Sequence, residues 1–171
     1  MAPLLFTGSS HPELAKELAD LMEITLGEIS LFQFPDGETG VEVLTSVRGR
    51  TVFVLQCCVG KPNDYLFEMA LMMDAIKRGG AERIIAVLPY YPYCRQDRID
   101  RPWEPIAARV VADLIESTGV KEVVAIELHQ GQLEGFFTIP FLNLRTTPTL
   151  FKSALKKDLK KEPLFLAPDV G

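Results

Sequence analysis

The sequence predicts an α/β domain: a doubly wound, mainly parallel sheet with helices on both faces and a small hairpin. Three observations predict it. Short apolar, branched runs alternate with amphipathic helical patterns along most of the chain, which is the signature of βαβ units. Two of those runs, residues 51–56 and 83–88, are almost unbroken in their apolar character, as strands covered on both faces are. Connections are short, and a length of 171 residues suits one domain with its own core.

Composition excludes several classes. A formal net charge of -5 leaves no surplus of Lys and Arg to hold a phosphate backbone, so general nucleic-acid binding is not expected. Cys57, Cys58 and Cys94 are odd in number and lack C-x-x-C spacing. They argue against a disulfide framework or zinc site and for a reducing compartment. No apolar run reaches the ~20 residues that cross a bilayer, and the N-terminus has no basic region followed by an apolar one. The expectation is a soluble cytoplasmic protein with no membrane partner.

Taken in order, residues 4–6 are a short apolar strand and Gly8, Ser9 and Ser10 its turn. Ser10 and Glu13 form an S-x-x-E capping box, with Leu14, Leu18 and Leu21 at helical spacing behind it and His11 exposed at the helix start. Residues 29–34 have strand character and stop at Pro35, Asp36, Gly37 and Glu38, a turn by composition. Val41, Val43 and Leu44 return as a second strand, so a hairpin with two carboxylates at its tip is expected.

Residues 51–56 are a buried strand. Asn63 or Asp64 caps the helix that follows, whose apolar stripe is Leu66, Met69, Ala70, Met73 and Ile76, ending at Gly79 and Gly80. Methionines at this spacing read as core. Gly60 and Lys61 lack the flanking pattern of a phosphate loop.

The strand at 83–88 delivers the stretch with the densest chemistry, PYYPYCRQDR over 89–98. Its aromatic and charged groups fall at a strand's carboxyl end, the rim where open α/β sheets bind ligands. Arg95 and Arg98 can fork onto phosphate oxygens, Gln96 offers an amide, and the tyrosines offer flat faces for a ring. A capped strand with a salt-bridged surface loop has the same composition; spacing alone leaves both readings open.

Pro105 fits the first turn of a helix running through Ile106, Val110, Leu114 and Ile115 to Gly119. Residues 123–129 are the next strand. Glu127 and His129, two apart on it, face the same way, a spacing that suits a shared cation. A plain hydrogen bond between His and a carboxylate is the more ordinary outcome. Residues 148–161 are helical with Leu150, Phe151, Leu155 and Leu159 inward and Lys152, Lys156, Lys157, Lys160 and Lys161 solvated. A last strand, 164–167, delivers Asp169 and the final Gly171, so the chain reads as cut at a strand tip. In a parallel sheet the tips near Arg95, His129 and Asp169 share one rim, which favours a phosphate-and-cation site.

Phe34-Pro-Asp-Gly-Glu38, Pro89-Tyr90 through Arg95-Gln96-Asp97-Arg98, Glu104-Pro105-Ile106, Leu128-His129 with Gln132, Gly135-Phe136-Phe137 and Pro168-Asp169-Val170-Gly171 resemble the ribose-phosphate pyrophosphokinase family. The resemblance runs over essentially the whole chain and covers the family's N-terminal half. It implies that residues 1–171 are the first of two phosphoribosyltransferase-like domains. It further implies transfer of the pyrophosphoryl group of ATP to ribose 5-phosphate, with Mg2+ required, in a homo-oligomer that in the family is a hexamer. Carried over by position, Arg95 and Gln96 hold the nucleotide. Phe34, Asp36, Gly37 and Glu38 belong to a loop that reaches a neighbouring subunit's site and reads adenine and ribose; His129 and Asp169 are associated with Mg2+.

Three departures stand out. Glu127 replaces the family's usual Asp, Trp103 stands where Arg is usual, and Cys57-Cys58-Val59-Gly60-Lys61 replaces a loop rich in Ser and Thr. The family's catalytic basic loop and its acidic loop for ribose 5-phosphate belong to the second domain, so the chain as written is expected to be inactive alone. A non-catalytic subunit that assembles with full-length synthetase and modulates it is the alternative.

Overall fold

The structure, a computed structural model, describes residues 1–155. The strand expected at 164–167, Asp169, and the helix end with Leu159, Lys156, Lys157, Lys160 and Lys161 lie outside the described residues.

Six strands form the main sheet: β1 (Leu4–Thr7), β2 (Thr25–Leu26), and, after a separate hairpin of β3 (Ile29–Gln33) and β4 (Thr39–Val43), β5 (Thr51–Leu55), β6 (Arg83–Leu88), β7 (Glu122–Ile126) and β8 (Phe141–Leu144). Their order is β2-β1-β5-β6-β7-β8, every pairing is parallel, and the hairpin is antiparallel. The helices are α1 (Pro12–Met22), α2 (Pro62–Arg78), α3 (Ala107–Ser117) and α4 (Thr147–Leu155).

Chain direction decides the layers. From β1 the chain moves one way to β2, whereas β5, β6 and β7 step the other way; right-handed crossovers therefore place α1 on one face and α2 and α3 on the opposite one. Strand alternation follows suit. Leu5 and Leu55 pack with Ala15 and Ala19 of α1, while Leu4, Phe6, Val52, Val54, Ala86 and Leu88 pack with the methionines of α2 and with α3. Leu66, Met69, Met73 and Ile76 of the expected stripe are buried core and Ala70 is half-buried, while Met72, not placed on the stripe from sequence, is fully buried beside them.

Helix starts differ from the sequence reading. His11, not Ser10, caps α1, its Nδ1 accepting from Leu14 N, because Ser10 turns its hydroxyl inward to Gln56. Lys61 is the residue before α2, with Pro62 at the first helical position and no side-chain cap. Proline's fixed φ and missing N–H suit that position, and Asn63 instead accepts from the Tyr93 hydroxyl. In α3 the buried stripe is Ala108, Val111, Ala112 and Ile115, and Val110 faces outward. Leu150 and Phe151 of α4, expected inward, are exposed. Periodicity identifies a helix's apolar face but not what covers it.

Candidate functional site

The loop after β6 is pinned from several directions. Tyr91 Oη donates to Ala108 O at 2.9 Å, Ala108 N donates to Gln96 O at 3.1 Å, and Gln96 N donates to Tyr93 O at 2.9 Å. Tyr93 sits in the left-handed region at φ 58°, and its hydroxyl donates to Asn63 at the start of α2. The backbone is thus fixed while Arg95 and Gln96 stay exposed. Arg98 is committed to Asp100 at 2.7 Å. Arg95 has no ion-pair partner among the described residues, so of the two candidate phosphate ligands it alone is unengaged.

Two cavities flank that pair. One, of about 460 Å³, is walled by Cys58, Gly60, Tyr90 and Cys94 together with Arg95 and Gln96. The other, of about 330 Å³, adds Arg98, Asp100, Glu104 and Pro105. A groove of about 370 Å³ between α2 and α3, lined by Leu66, Phe67, Val110 and Leu114, is more apolar and holds no charged group. The chemistry lies with the first two. Burial pushes the Cys58 thiol up to about 12, helped by the neighbouring Cys57 and Glu68, so Cys58 is an inert wall rather than a nucleophile.

Phe34, Asp36, Gly37 and Glu38 form the exposed hairpin tip. Phe34 N donates to Glu38 O at 2.8 Å, Glu38 N donates to Asp36 Oδ1 at 3.1 Å, and Gly37 takes φ 93°, a conformation that favours glycine. Phe32 and Phe34 pack edge to face, 5.1 Å between centroids. The tip shares a cavity of about 470 Å³ with Asn63 and Asp64 of α2. Neither of the two cavities walled by Arg95 has a tip residue in its lining.

His129 is exposed on the loop after β7. β6 and β7 are parallel neighbours, so this loop and the Arg95 loop share a rim, and Gln132 Nε2 donates to Asp97 Oδ2 at 3.0 Å to join them. The pairing of Glu127 with His129 is overturned. β7 ends at Ile126, and Glu127 takes φ 46°, so the two-residue repeat of a strand no longer applies. Its carboxylate instead accepts from Thr146 N, Thr146 Oγ1 (2.9 Å) and Thr147 N (3.1 Å), capping α4. Among the described residues no group of three or more His, Cys, Asp or Glu is placed to hold a metal.

Those donors from Thr146 and Thr147 hold the Glu127 carboxyl below the usual glutamate range. A depressed folded-state pKa means stability that is fully present above the unfolded value and lost as pH falls through the folded one. The start of α4 is therefore expected to loosen only in the acidic range below the ordinary glutamate value. Thr146 and Thr147 amide shifts followed by NMR titration should show this step, and Glu127→Gln should abolish it; a step surviving in that variant would refute the cap.

Gln56, just after β5, and Glu68 of α2 are both buried and bonded to each other; the sequence reading did not single them out. One signal was available: a glutamine closing an otherwise apolar strand, and a carboxylate next to the methionine stripe of α2.

A profile of the N-terminal domain of ribose phosphate pyrophosphokinase matches residues 3–119. The chain belongs to the ribose-phosphate pyrophosphokinase family. Curated ribose-phosphate pyrophosphokinases from Haemophilus influenzae and Clostridium perfringens are each 42% identical over 98% of this chain and 53% of their own length. The crystal structure of phosphoribosylpyrophosphate synthetase from Mycobacterium smegmatis superposes with a TM-score of 0.89 at 40% identity, covering 92% of this chain and 53% of that one. The chain thus spans about half the length of the pyrophosphokinases it matches, and corresponds to the N-terminal domain. No helix among the described residues is long and apolar enough to cross a membrane.

Proposed function

We propose that this domain binds the nucleotide in a ribose-phosphate diphosphokinase that converts ATP and ribose 5-phosphate to 5-phosphoribosyl 1-diphosphate and AMP. The observation that carries the reading is Arg95: an unengaged guanidinium on a pinned loop at a strand's carboxyl end, between two cavities, in a chain of this family. The sugar's anomeric hydroxyl oxygen bonds to the β-phosphorus and loses its proton, while the oxygen bridging the α- and β-phosphorus leaves with AMP. Such a transfer calls for charge neutralisation and alignment more than for a covalent intermediate. Arg95 can take the first role with its fork of N–H donors and Gln96 the second with its amide.

Mg2+ is the proposed cofactor. Magnesium usually enters with the substrate phosphates and takes only one or two protein ligands, which suits a rim where the described residues offer His129 without a cage. His129, and Asp169 outside the described residues, would stand by it. The ion supplies neutralisation of phosphate charge. The hairpin tip of Phe34, Asp36, Gly37 and Glu38, exposed and absent from the linings of the two Arg95 cavities, suits a part in a neighbouring copy's site, and so a homo-oligomer, hexameric as in the family.

Turnover of ATP and ribose 5-phosphate should be measured on the 171-residue chain and on any longer product of the same gene, with sedimentation of each. Turnover confined to a longer, oligomeric form is expected. A longer form that is inactive alone yet alters a full-length synthetase would favour the non-catalytic subunit.

A further inference from the structure

Strand order β2-β1-β5 reverses direction between β1 and β5, and in open α/β sheets the carboxyl ends at such a reversal normally flank the ligand crevice. Here that position is filled by buried polar side chains. Gln56, at the tip of β5, is 0% exposed, and Glu68 of α2 is 8% exposed. Glu68 accepts from Ser9 N at 2.8 Å, from Ser9 Oγ at 2.8 and 3.0 Å, and from Gln56 Nε2 at 2.7 Å. Every one of these donors is neutral. Gln56 Nε2 also donates to Tyr65 O at 3.1 Å, and its Oε1 accepts from Ser10 Oγ at 2.7 Å. Ser10 Oγ in turn accepts from Cys57 N at 3.0 Å. The site is filled so tightly that a Cβ on Gly8 would lie 2.3 Å from Gln56 Oε1.

A carboxylate that has given up water must keep its donors in place, since a buried charge without them is costly. Glu68 can accept but not donate, which orients the Gln56 amide: nitrogen toward Glu68, oxygen toward Ser10. That oxygen turns the Ser10 proton inward and leaves a lone pair for Cys57 N. The chain of bonds ends at the first residue of the 57–61 loop, whose Cys58 and Gly60 wall the cavity shared with Arg95 and Gln96.

We infer that Glu68 is a positioning residue for the nucleotide cavity, setting the 57–61 loop through Gln56 and Ser10. The inference rests on the proposed nucleotide site and adds to it the device that shapes a wall of the cavity that the 57–61 loop shares with Arg95. Glu68→Gln sets an amide N–H against Ser9 N and Gln56 Nε2, which can only donate, and Ser10→Ala removes the relay at a small, half-buried residue, with little risk to folding.

The test uses the full-length protein. ATP affinity is measured by calorimetry and the Cys57 amide by hydrogen exchange, for the wild type, Glu68→Gln, Ser10→Ala, Arg95→Ala and Ile115→Val. Ile115→Val lowers stability from the distant end of α3 and serves as the control. The expected result is at least fivefold weaker ATP binding and faster Cys57 exchange in Glu68→Gln and in Ser10→Ala, with neither change in Ile115→Val. A purely structural Glu68 would lower the melting temperature without moving ATP affinity. Wild-type affinity in Ser10→Ala, or in a folded Glu68→Gln, beside a weakened Arg95→Ala would overturn the inference and leave the nucleotide site standing. A wild type that does not bind ATP would remove both.

Discussion

Arg95→Ala is expected to weaken ATP binding by about 10- to 100-fold while the domain stays folded. A hydrogen bond to a charged group contributes about 1.5–3 kcal/mol, and each 1.4 kcal/mol is a factor of ten. The side chain is exposed and makes no ion pair among the described residues. Truncating it leaves no buried group unsatisfied, so the cost to stability stays within about 0.5 kcal/mol. Arg95→Lys keeps the charge and loses the planar fork, which places it between wild type and alanine. Calorimetry with ATP, beside circular dichroism of each variant, checks both statements. Equal affinity in all three proteins would exclude Arg95 as a phosphate ligand and leave Gln96 and the tyrosines without their anchor.

Phe6→Ala is expected to cost about 3–5 kcal/mol, the range for emptying a buried aromatic site, out of roughly 5–15 kcal/mol for a whole domain. Phe6 is fully buried in the layer between the sheet and α2. Its ring also fills the space over Gly27, where a Cβ would lie 2.4 Å from the ring. β1 is paired on both sides, with β2 and β5, so its backbone is held in place and the site cannot collapse to refill the space. Urea unfolding should show a midpoint lowered by about 1–5 M at an unchanged slope of about 1–3 kcal/mol/M. A midpoint within error of wild type would mean the layer repacks, contrary to the fixed register.

Where local sequence carries the cause, the sequence was readable. The unbroken apolar strands, the methionine stripe of α2, the Gly79-Gly80 stop and the Pro35–Glu38 turn depend on neighbours a few residues apart. Each stands where spacing put it. So does the Arg95 loop at the end of β6, because an apolar strand that turns polar has few other ways to end. The hydrogen-bonding partners were another matter. Ser10 lies three residues from Glu13 but bonds to Gln56, forty-six residues on. Glu127 sits two residues from His129 but bonds to Thr146, nineteen away. Both defeats have one source: a local pairing competes with polar groups that the sheet brings near from distant sequence, the buried Gln56 for Ser10 and three donors from Thr146 and Thr147 at the surface for Glu127.

The sequence by itself determined the family, the parallel sheet with its two helical layers, the hairpin with its acidic tip, and the placing of Arg95 on the loop after β6; His129, read as the end of a strand, lies on the loop after β7. Helical and strand periodicities and the right-handed crossover are written in short-range steric rules, and these need no knowledge of distant residues. Only the tertiary structure decided that Glu68, Gln56 and Ser10 fill the strand reversal, that Glu127 caps α4, and that the hairpin tip shares a cavity with α2. Those outcomes depend on which groups the fold brings together from distant parts of the sequence, and polar groups taken out of water there, as Gln56 and Glu68 are, must find partners on the spot.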